Sequence, residues 1–221
     1  IPLYRANPLV PVFATWDDHD YGEDDGDRTF PHRKEVQEIF NVFFPHDPIA
    51  GVLTLGPGVA SRLLAFGQRF FLLDSRSFRS PNQRPKKFYA PLQKQLSQRP
   101  HEDPEQSLGE THWGKEQETW LMRQLARAGE PAWLVNGSQF FGGYSPFESY
   151  ESNHPANFRK MLTQLKKAKT RVIFASGDRH LTELMEIPEK EISYRTYELT
   201  TSAIHAAVFP SPWDEFPNPW Q

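Results

Sequence analysis

The sequence predicts one α/β domain whose parallel strands are covered by helices. The first supporting observation is a helical pattern over residues 115–128 followed by an apolar strand over 132–135. The same order recurs as a helix over 155–167 and a strand over 171–175. A helix followed by an apolar strand, twice over, is typical of a parallel sheet with helices on its faces. The third observation is the run FFLLD at 70–74, apolar almost throughout as in a central strand.

The remaining elements extend this pattern towards both ends of the chain. The apolar run at 11–14 predicts a short strand, and residues 59–66 and 69–74 predict a hairpin around Gly67-Gln68. Residues 75–114 have no clear period and predict a long excursion with little regular structure.

Further elements come from a helical pattern near the start and alternating patterns near the end. In HRKEVQEIFNVFF the apolar residues recur at helical spacing and predict a helix that buries a broad phenylalanine face: Val36, Ile39, Phe40, Phe43 and Phe44. Residues 182–187 and 192–199 predict a terminal antiparallel pair, and the proline-rich tail is expected to wrap the surface.

Composition excludes several classes of partner. The net charge of -3 and the pI near 6.3 provide no broad basic field, which argues against nucleic acid or an anionic membrane. No apolar run reaches the roughly 20 residues that cross a bilayer, and the N-terminus does not have the build of a signal peptide. The absence of cysteine excludes disulfides, thiolate ligands and a cysteine nucleophile.

Polar clusters follow four of the apolar runs. They are Asp17-Asp18-His19-Asp20, Asp74-Ser75-Arg76, Asn136-Gly137-Ser138-Gln139, and Ser176-Gly177-Asp178-Arg179-His180. Ligands of open α/β sheets bind outside the carboxyl ends of the strands, so parallel neighbours would bring these clusters to one rim. The negative charge of so many carboxylates must be compensated by a metal ion or an arginine, or else be solvated by water. Asp and His without Cys suit a hard or borderline metal ion.

Simpler interpretations stand beside these. An isolated Asp-x-His and the run EDDGD are each typical of solvated loops. Asp74 and Arg76 fit a structural ion pair as well as a substrate contact, and Gln139 fits a core amide. The calcium-loop, phosphate-cradling glycine and G-x-S-x-G patterns are absent from the sequence.

Several motifs together resemble the alkaline phosphatase D (PhoD-like) metallophosphatases. They are TWDDHDYG at 15–22, FFLLDSRSFR at 70–79, LG followed by EQETWL within 108–121, ASGDRHLTEL at 175–184 and YELTTSAIHA at 197–206. The resemblance runs from Pro11 to about Ala206. It implies a calcineurin-like α/β/β/α sandwich that hydrolyses phosphate esters at two metal ions, with Fe, Ca, Mn or Zn as candidates.

The resemblance also assigns site residues. Asp18 and His19 match the Asn-His step of the superfamily, a metal ligand followed by a histidine that contacts phosphate. Asp178 stands in place of a ligand histidine, and His180 is retained. Asp17 is a further ligand candidate, and Gln139 falls where another histidine often sits, which leaves its direct ligation open.

The implied reaction is metal-assisted hydrolysis. Two ions about 3.5 to 4 Å apart would hold the phosphate and activate the attacking water. His19 would hydrogen-bond a phosphoryl or leaving oxygen as negative charge builds there. Arg76 and Arg179 are the candidates for contacts with the phosphate oxygens.

The main departure from the family pattern lies upstream. Family members carry a Gly-Asp-x-x-Tyr type motif and further ligands before TWDDHD, and this sequence starts at Ile1. We therefore expect a C-terminal portion of a longer domain, lacking the N-terminal strands, which alone is inactive and which pairs with the missing segment. The alternative is a non-catalytic binding or assembly module whose acidic rim holds one structural cation or none. Family resemblance suggests export.

Overall fold

The computed structural model describes residues 12–44, 51–82, 110–127, 131–144, 148–168, 170–202 and 218–220. Its strands are β1 Leu53–Leu55, β2 Ser61–Ala65, β3 Gln68–Leu72, β4 Ala132–Asn136, β5 Val172–Ser176, β6 Thr182–Ile187 and β7 Thr196–Thr201. Its helices are α1 Asp18–Tyr21, α2 Arg33–Phe43, α3 Gly114–Leu125, α4 Tyr150–Asn153, α5 Pro155–Lys167 and α6 Glu189–Ile192.

The strands form one seven-stranded mixed sheet in the order β1-β2-β3-β4-β5-β7-β6. The interior pairs β3-β4, β4-β5 and β5-β7 are parallel. The outer pairs β1-β2, β2-β3 and β6-β7 are antiparallel. This confirms the predicted α/β class, the parallel core and the terminal antiparallel pair. Among the described residues there is this one sheet, so a second sheet of the expected sandwich is not among them.

The predicted hairpin is present with a shifted turn. The turn residues are Phe66 and Gly67, with φ of 54° and 68°, and Gln68 already belongs to β3. Two successive residues with positive φ give the turn twist that matches antiparallel strands, and glycine adopts that conformation without steric cost. β3 then lies between β2 and β4, which confirms that FFLLD is central.

Helices α3 and α5 contribute buried apolar side chains to the main hydrophobic core. Leu121 and Leu125 of α3 are fully buried, as is Leu165 of α5. The apolar residues of α5 recur at helical spacing, and Pro155 occupies its first turn, where the missing N–H is not needed. Their side chains pack with Leu134 of β4 in one cluster, so the helices anchor the interior strands.

The strand predicted at 11–14 is wrong for the described part of that run. Residues 12–17 have no regular secondary structure and lead directly into α1. The segment is held by side chains rather than by a ladder: Thr15 Oγ1 donates to the Leu73 carbonyl at 2.6 Å. Trp16 Nε1 donates to Asp74 Oδ1 at 2.8 Å. An apolar run packed beside a strand end therefore resembled a strand in the sequence.

The broad buried phenylalanine face predicted for α2 is only partly present. Phe40 is 8% exposed and packs against Trp16 with ring centroids 5.2 Å apart. Ile39 and Phe43 are 57% and 69% exposed. Phe40 therefore belongs to a second core cluster with Trp16, Tyr21 and Val59, and Val36 and Phe44 pack partly against it. Ile39 and Phe43 stay exposed in the described part of the chain.

The sheet has one buried and one half-covered face. Leu134 and Phe174 are fully buried, whereas Trp133 and Ile173, which alternate with them, are half-buried. No helix of the described part is long and apolar enough to cross a membrane. Most of the long excursion and of the tail lies outside the described residues, and the single-domain boundary 1–221 stays a prediction.

Candidate functional site

The carboxyl ends of β3, β4 and β5 meet at one edge of the sheet. Leu73 N donates to the Val135 carbonyl, and Gly177 N to the Gly137 carbonyl, both at 2.8 Å. Because Thr15 and Trp16 are hydrogen-bonded to the end of β3, the next residue, Asp17, arrives at the same edge. A cavity of about 300 Å³ opens there, lined by Asp17, Asp178 and the strand-end residues between them.

Three carboxylates converge at this edge. Asp17, Asp18 and Asp178 each offer an oxygen, and these atoms lie within 4.8 Å of one another. Asp18 begins α1, while Asp178 follows β5. Two clusters far apart in sequence therefore meet, as the strand-end argument predicted.

The two oxygens of Asp17 have different environments. Oδ1 accepts hydrogen bonds from Arg76, with Nε at 2.8 Å and Nη2 in close contact. Oδ2 is buried and has no hydrogen-bond partner among the described residues. A buried carboxylate oxygen without a partner is unfavourable unless something compensates its charge.

Gly137 makes room for Asp17. A Cβ placed on Gly137 would lie 2.5 Å from Asp17 Oδ1 and 2.6 Å from its Cγ. The carboxylate therefore rests directly on the backbone of the turn after β4, where a side chain would displace it.

Electrostatics at the edge disfavour the charged carboxylates. Burial raises the pKa of Asp17 to about 6, with Arg76 opposing the shift and Glu148 adding to it. Burial, reinforced by Asp17 and Glu148, raises the pKa of Asp178 well above its ordinary value. A cation between these groups would restore their ionised forms.

The loop after β5 turns sharply at the site. Asp178 and His180 have φ of 68° and 54°, in the left-handed region that few residues other than glycine adopt. Gly177, which precedes them, does not have a positive φ. Strained residues of this kind cluster at functional sites.

Neither of the histidines predicted at the site belongs to the group of Asp17, Asp18 and Asp178. His180 belongs to neither potential ligand group of the described residues, and its backbone N–H donates to Ser202 Oγ at 2.6 Å. The His19 side chain is 78% exposed, with Nε2 3.7 Å from Asp18 Oδ2 and 3.9 Å from Asp24 Oδ1. Asp18, His19 and Asp24 form a second potential ligand group, which is mostly exposed.

The other predicted residues are engaged in the interior. Gln139 Nε2 donates to Glu183 at 2.7 Å and to Thr200 at 3.0 Å, which matches a core amide. The Arg76 guanidinium is fully buried and forms structural ion pairs, but with Asp17 and Glu148 rather than with Asp74. Arg179 is half-buried in the loop that carries Asp178.

The Asp74 carboxylate accepts hydrogen bonds from within the chain and does not line the cavity. Its Oδ1 accepts from Trp16 Nε1 and from the backbone N–H groups of Arg76 and Ser77. The carboxylate thus shapes the turn after β3, and its link to Arg76 runs through the backbone rather than through an ion pair.

Two glutamates of this region were missed by the sequence reasoning. Glu148 lies in the stretch SPFESY, which carries no motif, and it pairs with Arg76 and Arg79. Glu198 lies in β7, where the strand pattern hides it, and accepts the backbone N–H groups of Phe140 and Phe141 at 2.8 Å each. Glu198 alternates with Thr196 and Thr200 on the buried face of β7, so polar residues fill that face and nothing in the local sequence marked Glu198.

The donor set fits a hard cation. Asp17, Asp18 and Asp178 offer oxygen atoms only, the ligand type preferred by Ca²⁺, Mg²⁺ and Mn²⁺. Asp17 Oδ2, which is buried without a hydrogen-bond partner among the described residues, adds an acceptor oxygen suited to a cation.

Comparisons with known proteins identify a family and support the fold. The model of the PhoD-like phosphatase family matches residues 2–216. A solved structure of PhoD aligns with a TM-score of 0.56 at 19% identity, over 85% of this chain and 38% of that one, which supports the fold. This chain therefore spans well under half of that protein. Comparison with curated proteins finds no significant match.

Proposed function

The chain belongs to the PhoD-like phosphatase family, and we propose that it forms part of a metal-dependent phosphate ester hydrolase whose cation is held by Asp17, Asp18 and Asp178. The observation that carries the proposal is the convergence of these carboxylates within 4.8 Å at the carboxyl edge of the sheet. The cavity beside them offers space for a phosphate group.

A cation bound there would supply charge stabilisation for phosphate oxygens and would lower the pKa of water. The chain's own residues would position that cation. Asp17, Asp18 and Asp178 fix the position of positive charge beside the cavity, and the turn at Gly137 sets the position of Asp17.

His19 is the candidate for a hydrogen bond to the substrate. It follows Asp18 on α1, and its side chain faces solvent. An imidazole N–H in that position can donate to a phosphoryl or leaving oxygen as negative charge builds there. Arg179 stays a candidate for phosphate contact, whereas Arg76 is committed to Asp17 and Glu148.

A cation-binding module without catalysis is the second candidate. The absence of His180 and of any other histidine from the group of Asp17, Asp18 and Asp178 favours it, because the described residues then supply three carboxylates only. Three carboxylate ligands can hold one ion, whereas a dinuclear hydrolase needs enough ligands to hold two ions at a fixed separation.

Purified chain supplied with Mn²⁺, Ca²⁺, Zn²⁺ or Fe salts tests both proposals against 4-nitrophenyl phosphate and bis(4-nitrophenyl) phosphate. Chelator-sensitive turnover that Asp178→Asn abolishes and the exposed control Glu189→Gln retains supports the hydrolase. Metal binding without turnover in the chain by itself supports the module. A chain that binds no metal contradicts both.

A further inference from the structure

A pair of buried arginines lies behind the carboxylate cluster, and one glutamate holds both. Arg76 and Arg79 are fully buried, and the Glu148 side chain is 5% exposed. Glu148 Oε1 accepts from Arg76 Nη1 at 3.2 Å, and Oε2 accepts from Arg76 Nη2 at 2.7 Å. Arg79 Nη1 is also in close contact with Oε1. This two-point pairing fixes the plane of the Arg76 guanidinium.

The opposite end of the same guanidinium meets Asp17. Arg76 Nε donates to Asp17 Oδ1 at 2.8 Å, and Nη2 contacts the same oxygen. Both contacts therefore end on Oδ1, and Oδ2 keeps no partner among the described residues. Glu148 and Asp17 therefore pair with the same guanidinium. Glu148 does so through both of its carboxylate oxygens, and Asp17 only through Oδ1.

Removal of the Glu148 charge would change that division. Arg76 and Arg79 would lose the anion between them, and a buried unpaired charge is strongly unfavourable. Asp17 would then be the remaining carboxylate that pairs with Arg76 among the described residues. A guanidinium free to rotate favours a two-point pairing with a carboxylate, which would occupy both oxygens of Asp17.

We propose that Glu148 is a positioning residue of this site, which acts through Arg76 to keep one oxygen of Asp17 available for the cation. The proposal rests on the proposed function, since it presupposes that Asp17 is a ligand. Glu148 is not among the carboxylates that converge at the cavity, and it reaches Asp17 through the guanidinium that it orients.

Titration of the purified chain with Tb³⁺, followed by tryptophan-sensitised luminescence, tests this with Trp16 at the cavity wall. Glu148→Gln should weaken binding at least about tenfold, as loss of a residue that orients a ligand does. Glu118→Gln is the matched control, because Glu118 is also buried and pairs with Lys160 Nζ at 3.0 Å. Its Tb³⁺ affinity should stay within about twofold of that of the unmodified chain.

A double-mutant cycle separates positioning from simple destabilisation. If Glu148 acts through Arg76, then Arg76→Lys and Glu148→Gln together weaken Tb³⁺ binding no more than the stronger single change. Additive losses, or affinity within twofold in Glu148→Gln with only the unfolding midpoint lowered, overturn the proposal. Should Glu148→Gln fail to fold, Glu148→Asp takes its place in the cycle with the same criterion.

The same titration keeps the two proposals apart. An unmodified chain that binds no Tb³⁺ contradicts the metal site and, with it, the role of Glu148. An unmodified chain that binds Tb³⁺ as tightly as Glu148→Gln contradicts the role of Glu148 alone.

Discussion

Replacement of Gly137 by alanine perturbs the carboxylate cluster without removing a ligand. The new Cβ would lie 2.6 Å from Asp17 Cγ, whereas nonbonded carbon atoms prefer separations of about 3.5 to 4.0 Å. Asp17 must therefore move by roughly 1 Å. That movement strains the 2.8 Å hydrogen bond from Arg76 Nε, which is the main anchor of its side chain.

The expected result follows from this displacement. Overpacking costs about 1 to 3 kcal/mol of unfolding free energy, and a ligand displaced by about 1 Å should lower metal affinity by roughly 10- to 100-fold. Isothermal titration with Mn²⁺ measures the affinity, and urea denaturation without metal measures stability.

Gly177→Ala is the matched control for Gly137→Ala. Its added Cβ would first meet the Gly137 carbonyl at 3.1 Å, a milder contact, and Gly177 does not have a positive φ. We expect a smaller loss of Mn²⁺ affinity than for Gly137→Ala. Unchanged affinity in Gly137→Ala, with stability reduced, would refute the idea that contact with Gly137 sets the position of Asp17.

Further predictions concern the ligands, the reaction and the interior. Asp178→Asn should weaken metal retention at least about tenfold, and chelation should lower the melting temperature; elemental analysis showing equal metal in variant and unmodified chain contradicts this. His19→Ala in an active form of the enzyme should lower kcat by about 10²- to 10⁴-fold with metal content preserved, and parallel loss of metal would make His19 a ligand instead. Glu198→Gln should cost about 2 to 3 kcal/mol in urea denaturation, because an amide N–H₂ would face backbone N–H groups; a loss no greater than in the exposed control Glu189→Gln argues against this. Burial lowers the pKa of His154 to about 3, so the unfolded state takes up the proton first and unfolding free energy falls by about 1.4 kcal/mol per pH unit below about 6.5; His154→Leu should flatten the dependence measured between pH 7.5 and 5, and an unchanged slope contradicts it.

The elements predicted well were those whose local pattern and tertiary role agree. Helix α5 was predicted at its observed bounds because its apolar residues keep one face and Pro155 marks its start. The parallel pairing of β3, β4 and β5 followed from chain order, since each is joined to the next by a connection long enough to include a helix.

The failures had tertiary causes. The run at 12–14 is as apolar as a strand, but the segment is attached to the end of the sheet by the side chains of Thr15 and Trp16. The local sequence pattern does not distinguish this attachment from backbone pairing. Likewise the period of α2 predicts an apolar face but not how much of it finds cover, and Ile39 and Phe43 find none in the described part of the chain. Periodicity determines which residues share a face, and packing partners from elsewhere determine burial.

The candidate site was predictable where residue type alone restricts the chemistry. Asp17, Asp18 and Asp178 stood out as carboxylates at strand ends, and the structure brings them together. Glu148 could not be found in that way, because its role arises from two arginines about 70 residues earlier in the chain, joined to it through hydrogen bonds with sequence separations of 72 and 69.

The most direct test of the carboxylate cluster is the metal content of the purified chain after incubation with Mn²⁺ and removal of free ion. We predict at least one ion per chain for the unmodified protein and none for the triple variant Asp17→Asn, Asp18→Asn, Asp178→Asn, provided that circular dichroism shows both to be folded. Equal metal content in the two proteins, or none in the unmodified chain, would contradict a cation site at the carboxyl edge of this sheet.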